Sequence, residues 1–115
     1  MKCIIAGSRS INQSIVLETA IDASGFADDI TEVVSGGAKG VDALGEEWAY
    51  KQQLHLMIFP ADWDTYGRSA GIRRNKQMAA YADALIAVWD GQSKGTVHMV
   101  EEAKRQGLKV FVYEG

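Results

Sequence analysis

The chain has 115 residues, which is enough for one domain with its own hydrophobic core and too few for a second. Its 12 basic and 15 acidic residues give a net charge of −3, which argues against a general duplex-DNA binder because such proteins neutralise phosphates with Lys and Arg. One cysteine and two histidines without metal-ligand spacing exclude a disulfide framework and predict no metal site. No apolar run is long enough to span a membrane and the N-terminus lacks a secretory pattern, so we expect a cytoplasmic protein.

Short apolar runs alternate with helical patterns along the chain. The predicted strands are residues 3–6, 32–35, 55–59, 84–88 and 109–112. Most of these runs are continuously apolar rather than alternating, which is typical of strands that are buried on both faces. Each run ends in a turn-forming residue, as expected where a strand stops.

Four helices are predicted between these strands. The first begins with Asn12 as its N-cap and ends at Gly25. The second covers residues 41–53, with small and apolar residues spaced so that they share one face. The third covers residues 70–82, and its predicted inner face consists of Ile72, Asn75, Met78, Ala79 and Ala82. The fourth begins near Gly95 and ends at Gly107.

This order predicts an α/β protein with a single domain over residues 1–115. Parallel strands need crossover connections, and right-handed crossovers place helices on both faces of the sheet. We therefore expect a Rossmann-like, doubly wound, parallel five-stranded sheet in a three-layer α/β/α arrangement. Ligands of such folds bind beyond the carboxyl ends of the strands, so the loops over residues 7–10, 36–40, 60–69 and 89–95 should form the site.

The first two loops carry glycine and polar residues before a helix. Gly7 allows a close backbone approach, Ser8 can donate a hydroxyl, and Arg9 can bind a phosphate or simply be solvated. The second loop contains three glycines between a strand and a helix N-terminus, which favours an anion: Ser35-Gly36-Gly37-Ala38-Lys39-Gly40. Asp42 follows in the first helical turn, where it can accept from a ribose hydroxyl, bind a metal or only stabilise the helix dipole.

The third loop is long and combines aromatic and basic side chains. Trp63 and Tyr66 can stack on a base or form a lid against the sheet edge. Arg68, Arg73 and Arg74 can clamp phosphate. Asn75 is polar on an inner helical face, where it binds ligand or makes a structural hydrogen bond.

The fourth loop is again small and polar and again precedes a helix N-terminus. Its predicted ligand-binding residues are Asp90, Gly91, Ser93, Gly95 and Thr96, although Thr96 can also act only as a helix cap. Cys3 is expected in the core, and His98 is expected to be a solvated helix residue.

At these loops the sequence resembles the SLOG superfamily, which includes the LOG phosphoribohydrolases and the DNA-processing protein A family. The likeness is greatest to the small YspA or cpYpsA-related SLOG proteins, and it extends over essentially the whole chain. The residues that carry it are Gly7-Ser8-Arg9, the segment from Ser35 to Asp42, Phe59-Pro60, Arg74-Asn75-Lys76-Gln77-Met78 and Gly95-Thr96. The resemblance implies a Rossmann-like fold that senses or processes nucleotide-type ligands.

The chain departs from the LOG enzymes at two motif positions. Asn75 stands where those enzymes have a lysine, and Met99 stands at the position of their catalytic glutamate. Glu101 and Glu102 are near in sequence but are expected outside the inner face of their helix. Nucleotide hydrolysis is therefore not the first expectation.

We expect binding of a small phosphate-bearing nucleotide or nucleotide-derived ligand, such as an ADP-ribose-like or cyclic nucleotide signal. The protein would act as a sensor or as a phage or bacterial signal sponge, as a homo-oligomer, with no required cofactor and without nucleic-acid or membrane partners. One alternative is an N-glycosidic hydrolase of nucleoside monophosphates, with Asp42 or Asp90 as the catalytic carboxylate. A further alternative is a single-stranded DNA-binding accessory protein.

Overall fold

A computed structural model describes residues 1–115 as one parallel sheet flanked by helices. The strands are β1 (Lys2–Gly7), β2 (Glu32–Ser35), β3 (His55–Ile58), β4 (Ala84–Trp89) and β5 (Lys109–Glu114). Their order in the sheet is β3-β2-β1-β4-β5, and every neighbouring pair is parallel. The five predicted strands and the doubly wound fold are thus confirmed.

The helices lie on both faces of the sheet. They are α1 (Ser14–Ser24), α2 (Val41–Lys51), the short α3 (Trp63–Tyr66), α4 (Ala70–Tyr81) and α5 (Lys94–Arg105). The helices α1 and α2 pack on one face, whereas α4 and α5 pack on the other, which gives three layers. None of these helices has the length and apolar character needed to cross a membrane.

Alternate residues of the central strands fill two separate cores. Cys3 and Ile5 pack with α1 and α2, whereas Ile4 and Leu85 pack with α4 and α5. Each fully buried aliphatic side chain contributes roughly 1.5–3 kcal/mol, so both faces stabilise the sheet. Burial raises the pKa of the Cys3 thiol to about 12, which fits the core role predicted for it.

The start of α1 differs from the prediction. Asn12 is not the N-cap, because the helix begins at Ser14 with Gln13 in the cap position. The chain after β1 first makes a tight turn in which the Ile11 N–H donates to the Ser8 carbonyl at 3.3 Å. That turn moves the cap by one residue, from Asn12 to Gln13. The predicted end is confirmed, since Gly25 adopts the left-handed conformation with φ 74°.

Two predictions of burial are wrong. In β3, Leu56, Met57 and Ile58 are between 40% and 44% exposed, although their continuous apolar run predicted burial on both faces. The reason is that β3 lies at the edge of the sheet, where α4 and α5 do not reach. Ile72 of α4 is 46% exposed instead of facing the core, whereas Asn75, Met78 and Ala79 of the same predicted face are buried.

Candidate functional site

The loops at the carboxyl ends of β1, β2 and β4 surround a cavity of about 580 Å³ between the N-terminal parts of α2, α4 and α5. Twelve of the predicted site residues line it: Gly7, Arg9, Ala38, Asp42, Trp63, Arg68, Arg74, Asn75, Asp90, Ser93, Gly95 and Thr96. Eight others lie outside its lining: Ser8, Ser35, Gly36, Gly37, Lys39, Gly40, Arg73 and Gly91. Several of these eight hold the loops in shape.

The loop that leads into α2 is tightly packed. A β-carbon at Gly40, where φ is 75°, would overlap the Ser8 carbonyl oxygen and the backbone of Arg9. A β-carbon at Gly36 would overlap the Arg74 guanidinium and lie 2.8 Å from Asp42 Oδ2. Only glycine fits at Gly40, whereas a side chain at Gly36 would displace Arg74 and Asp42 from their positions in the site.

Ser35 is also structural. Its buried hydroxyl donates to Glu46 Oε2 at 2.6 Å and accepts from the Gly37 N–H at 3.1 Å. Because the hydroxyl donates to α2 and accepts from the loop, Ser35 orients the turn rather than the ligand.

Asp42 is the buried carboxyl group of the site. It lies in the first turn of α2 and is 5% exposed, and its Oδ2 accepts from the Ala38 N–H at 3.3 Å. Burial raises the pKa of Asp42, although the Ala38 N–H and the nearby Arg74 charge act in the opposite direction. Such a carboxyl group can accept from a sugar hydroxyl or transfer a proton.

Arg74 of α4 extends across the cavity toward the α2 loop. Its Nη1 donates to the Gly36 carbonyl at 2.5 Å, and its Nε donates to Asn75 Oδ1 at 3.1 Å. Burial lowers the pKa of Arg74, the Asp42 charge opposes this change, and the Arg9 charge adds to it. Guanidinium nevertheless stays protonated in proteins, so Arg74 supplies a fixed positive charge.

The neighbouring arginine has a different environment. Arg73 is exposed, its guanidinium lies 4.2 Å from the centroid of the Tyr66 ring, and its Nε donates to Ser69 Oγ at 3.2 Å. These contacts direct Arg73 to the outer surface of α4. Of the two adjacent arginines, only Arg74 lines the cavity.

Asn75 and His98 meet across the interface of α4 and α5. Asn75 Nδ2 lies 3.1 Å from His98 Nδ1, and both residues line the cavity. His98 is half-buried at the cavity, so it is less exposed than the solvated helix residue expected from the sequence. No local pattern reveals this pair, because it depends on the packing of two helices that are distant in sequence.

Asp90 organises the loop that leads into α5. Its Oδ1 accepts from the N–H groups of Gln92 at 2.8 Å and Ser93 at 2.9 Å, and its Oδ2 accepts from the Ser10 hydroxyl at 2.8 Å. These bonds, the Gln92 N–H first, hold the pKa of Asp90 down at about 2. The buried Ser8 hydroxyl accepts from the Asp90 N–H at 2.9 Å and so joins the first and fourth loops.

The N-terminus of α5 is more open than that of α2. The Ser93 hydroxyl oxygen accepts from the Thr96 N–H at 3.3 Å and from the Thr96 hydroxyl at 2.9 Å, so Ser93 is the cap. The first turn of α5 contains no acidic residue, and nothing lies within 4 Å of the position of a β-carbon on Gly95. The acid nearest in sequence, Asp90, lies before the helix and binds the N–H of the cap residue Ser93, so the first turn itself presents a positive dipole end without a carboxylate of its own.

The third loop is ordered as helical turns. Asp62 caps α3 by accepting from the Thr65 N–H at 3.1 Å, and a 3₁₀ turn over Gly67–Ser69 leads directly into α4. Trp63 is half-exposed, lines the cavity and lies against Gly71. Arg68 is exposed and also lines the cavity, whereas Tyr66 lies outside it beneath Arg73.

The motif positions on α5 provide no carboxylate to the cavity. Met99 lines the cavity at the place where the resemblance to LOG enzymes puts a glutamate. Glu102 is buried, contrary to the expectation that it faces outward, and it accepts from Arg105 Nη1 at 2.8 and 3.0 Å. Neither Glu101 nor Glu102 lines the cavity, so Asp42 and Asp90 are the acidic residues that do. The chain contains no group of three His, Cys, Asp or Glu residues that could hold a metal ion.

Fold and site together define a Rossmann-like domain with a polar, arginine-lined cavity at the carboxyl edge of its sheet. The model of the YspA, cpYpsA-related SLOG family matches residues 1–66. The chain belongs to this family, and membership indicates a nucleotide-related function.

Two known proteins illustrate the relationship. The Gene 61 protein of Mycobacterium phage D29 is 39% identical over 85 residues, which cover 69% of this chain and 68% of the phage protein. The X-ray structure of DNA processing protein A (DprA) from Streptococcus pneumoniae superposes with a TM-score of 0.73 at 17% identity, covering 97% of this chain. The chain spans about half of that structure, 49%, so the likeness concerns the Rossmann-like fold alone.

Proposed function

We propose that the cavity binds a small phosphate-bearing nucleotide or nucleotide-derived ligand. The observation that carries the proposal is the N-terminus of α5, whose first turn contains no acidic residue and which opens into a cavity that Arg9, Arg68 and Arg74 also line. A helix N-terminus and arginine side chains are the two protein features that bind phosphate most readily. The volume of about 580 Å³ lies within the ordinary range for small-molecule sites.

The ligand would lie with its phosphate on α5 and its ribose toward α2. Asp42 already supplies a negative charge at the α2 N-terminus, which disfavours a phosphate there and suits a sugar hydroxyl donor. Gly95 and Thr96 would bind the phosphate, and Trp63 would stack on the base. Arg74, which lies near Asp42 and is fixed to the α2 loop, would bridge the two ends.

The ligand would be bound without being cleaved. Met99 cannot act as an acid or base, and the Asp90 oxygens are occupied by three loop hydrogen bonds. A domain that only retains a nucleotide suits a sensor or a sponge that lowers the free concentration of a signal, such as an ADP-ribose-like or cyclic nucleotide. Similarity to a phage protein is compatible with the sponge.

Hydrolysis of an N-glycosidic bond is the second candidate, and the environment of Asp42 favours it. A buried carboxyl group with a raised pKa can protonate a leaving base or activate water near the anomeric carbon. In that case Asp42, not Asp90, would be the catalytic residue, because Asp90 stays ionised and bound to its own loop.

Two other expectations stay predictions. Single-strand DNA binding has the fold likeness to DNA processing protein A in its favour and the net charge of −3 against it. A homo-oligomer would use the exposed apolar edge strand β3, where Leu56 and Ile58 are accessible. Native mass spectrometry of the purified protein measures the oligomer and any retained nucleotide together.

A thermal-shift panel tests the proposed function. Adenosine monophosphate, cyclic nucleotides, ADP-ribose and oligo-deoxythymidylate are each added at millimolar concentration. A binding nucleotide at 100 times its Kd should stabilise the fold by about 2.7 kcal/mol. Chromatography of the heat-released ligand should return it intact. No stabilisation by any nucleotide would contradict the proposal, and recovery of free base with ribose 5-phosphate would establish the hydrolase.

A further inference from the structure

We propose that His98 is a ligand-contacting residue whose Nε2–H donates a hydrogen bond to a phosphate oxygen. The inference rests on the proposed function and adds to it a residue that no sequence motif marks. Its basis is a chain of hydrogen bonds, from the α2 loop through Arg74 and Asn75, that fixes which ring nitrogen of His98 carries the proton.

The first link fixes Arg74. A guanidinium group can only donate hydrogen bonds, and Arg74 is bound at Nη1 by the Gly36 carbonyl. Its Nε therefore approaches Asn75 as a donor, at 3.1 Å from Oδ1. The Asn75 side chain must present its oxygen, not its nitrogen, to Arg74.

The second link fixes Asn75. With Oδ1 committed to Arg74, the Nδ2 group is the one that faces His98, at 3.1 Å from Nδ1. Asn75 is only 7% exposed, so a rotated amide would leave buried donors facing each other. An unsatisfied donor in this position is costly, and this cost holds the amide in one orientation.

The third link fixes the histidine. The amide nitrogen of Asn75 only donates, so Nδ1 of His98 must accept and cannot carry a proton. In the neutral ring the proton is then on Nε2. That atom has no hydrogen-bond partner within the chain, and since no unpartnered side-chain polar atom is buried, it is open to solvent.

The position of His98 indicates that a phosphate oxygen is the acceptor for its Nε2–H. The residue belongs to the first turns of α5, two positions beyond Thr96, and it lines the same cavity as Gly95 and Thr96. A phosphate on the α5 N-terminus presents acceptor oxygens on this side of the cavity. A single N–H that is directed by a buried amide adds directional recognition to the charges of the arginines.

Nuclear magnetic resonance of the ring nitrogens tests the hydrogen-bond chain without any ligand. The chain has only two histidines, and the exposed His55 on β3 is an internal reference. At pH 8 the His98 ring should carry its proton on Nε2, with Nδ1 unprotonated. Asn75→Asp replaces the donor with an acceptor and should move the proton to Nδ1. A wild-type His98 ring protonated at Nδ1 would overturn the inference.

Calorimetric titration tests the contact itself, with adenosine monophosphate and inorganic phosphate as probes and adenosine as the probe without phosphate. Against adenosine monophosphate, His98→Ala and His98→Asn should each weaken binding about tenfold or more, the usual range for a hydrogen bond to a charged group. His98→Gln should stay within about threefold of wild type, because its longer amide can donate from near the Nε2 position. His55→Gln is the matched control and should change nothing.

The outcomes separate the two proposals. If wild-type protein binds neither phosphate probe nor any nucleotide of the thermal-shift panel at millimolar concentration, the proposed function fails and this inference fails with it. If wild type binds and folded His98→Ala binds equally well, only the role of His98 is refuted. Loss of adenosine binding in His98→Ala, with inorganic phosphate binding unchanged, would refute the phosphate contact.

Discussion

The helices α2 and α5 begin in similar glycine-rich loops, yet the two N-termini are built differently. At α2 no side chain caps the helix, Gly40 is wedged against the first loop, and the buried Asp42 carboxyl group is in the first turn. At α5 the Ser93 hydroxyl caps the helix, Gly95 has open space around it, and the first turn carries no acid. Two loops of similar glycine content therefore differ: α2 is tightly packed with an acid inside its first turn, whereas α5 has open space and its nearest acid in sequence, Asp90, lies before the helix.

This contrast assigns different tasks to the two loops. A helix N-terminus attracts an anion, and at α2 that position is already taken by a residue of the chain. The α2 loop then serves as the rigid base on which Asp42 and Arg74 are placed, whereas the α5 loop is the one available to phosphate. The difference can be tested by changing matched residues at the two ends.

The glycines of the two loops should give the largest contrast in stability. Gly40→Ala places a β-carbon against the Ser8 carbonyl and Arg9 backbone at a positive φ, and should lower the free energy of unfolding by roughly 2–4 kcal/mol. Gly95→Ala meets no neighbour within a helix and should raise it by up to about 1 kcal/mol. Urea unfolding measures both values.

Gly107→Ala separates conformational strain from overlap at Gly40. Gly107 has φ 82° and nothing near its β-carbon position, so its substitution should cost only the left-handed penalty, roughly 1–2 kcal/mol. Equal losses in the Gly40 and Gly107 variants would mean that the α2 loop is not tightly packed.

Arg74 should dominate ligand affinity. Arg74→Ala removes a cavity charge and should weaken binding of adenosine monophosphate by about 1.5–3 kcal/mol, or roughly 10- to 150-fold. Arg73→Ala is the matched control, because Arg73 is exposed on the outer surface of α4. Calorimetry of the two variants distinguishes them, and a similar loss in both would mean that only general positive charge matters.

The cap of α5 should make a smaller contribution. Ser93→Ala leaves the Thr96 N–H without its acceptor and should lower the free energy of unfolding by about 1 kcal/mol. Ser93→Gly is the comparison variant, since replacing a serine cap with glycine lowers the free energy of unfolding by only about a few tenths of a kcal/mol. A loss below the error of urea unfolding in both variants would indicate that the α5 end is held by other contacts.

The two aspartates should give opposite pH dependences. The pKa of Asp42 is raised, so its stabilising effect is complete below the ordinary aspartate value and is lost as pH rises through the raised pKa. Relative to wild type, Asp42→Asn should therefore gain stability as pH increases from 3 to 7. Unfolding free energies at intervals of pH measure this difference, and a difference that is independent of pH would show that Asp42 titrates normally.

Asp90 should behave in the opposite way. Its pKa is lowered from 3.8 to about 2, so its contribution is present above 3.8 and is lost as pH falls toward 2. Asp90→Asn should be less stable than wild type at pH 7, and this deficit should shrink in acid. A deficit that grows on acidification would contradict the role of Asp90 as an ionised acceptor for its loop.

The fold was predictable because its signals are local. The five apolar runs, the inner stripe of α2 and the left-handed Gly25 each follow from short-range spacing. The burial of β3 was not predictable, because a continuous apolar run does not indicate whether a strand is central or at the edge. Asn12 failed as a cap because the turn closed by Ser8 precedes the helix.

The site was predictable at the level of loops and less so at the level of atoms. Gly-rich segments indicate the carboxyl edge of the sheet, and Asn75 is distinguished in the sequence as a polar residue on an inner helical face. The function of Ser8 as an internal hydrogen-bond partner depends on Asp90, which is distant in sequence, and that of Ser35 depends on how α2 places Glu46 against the loop. No sequence pattern indicates that His98 contacts Asn75 at the cavity, because this contact depends on how α4 packs against α5.

The most direct measurement is a ¹H–¹⁵N correlation titration of the protein with adenosine monophosphate, because it reports on both helix ends at once. We expect saturable shifts of the Gly95 and Thr96 amides, with smaller shifts around Asp42, and adenosine alone should shift the α5 amides little. Shifts confined to the α2 amides, or no shift at either end at millimolar ligand, would contradict the assignment of phosphate to α5.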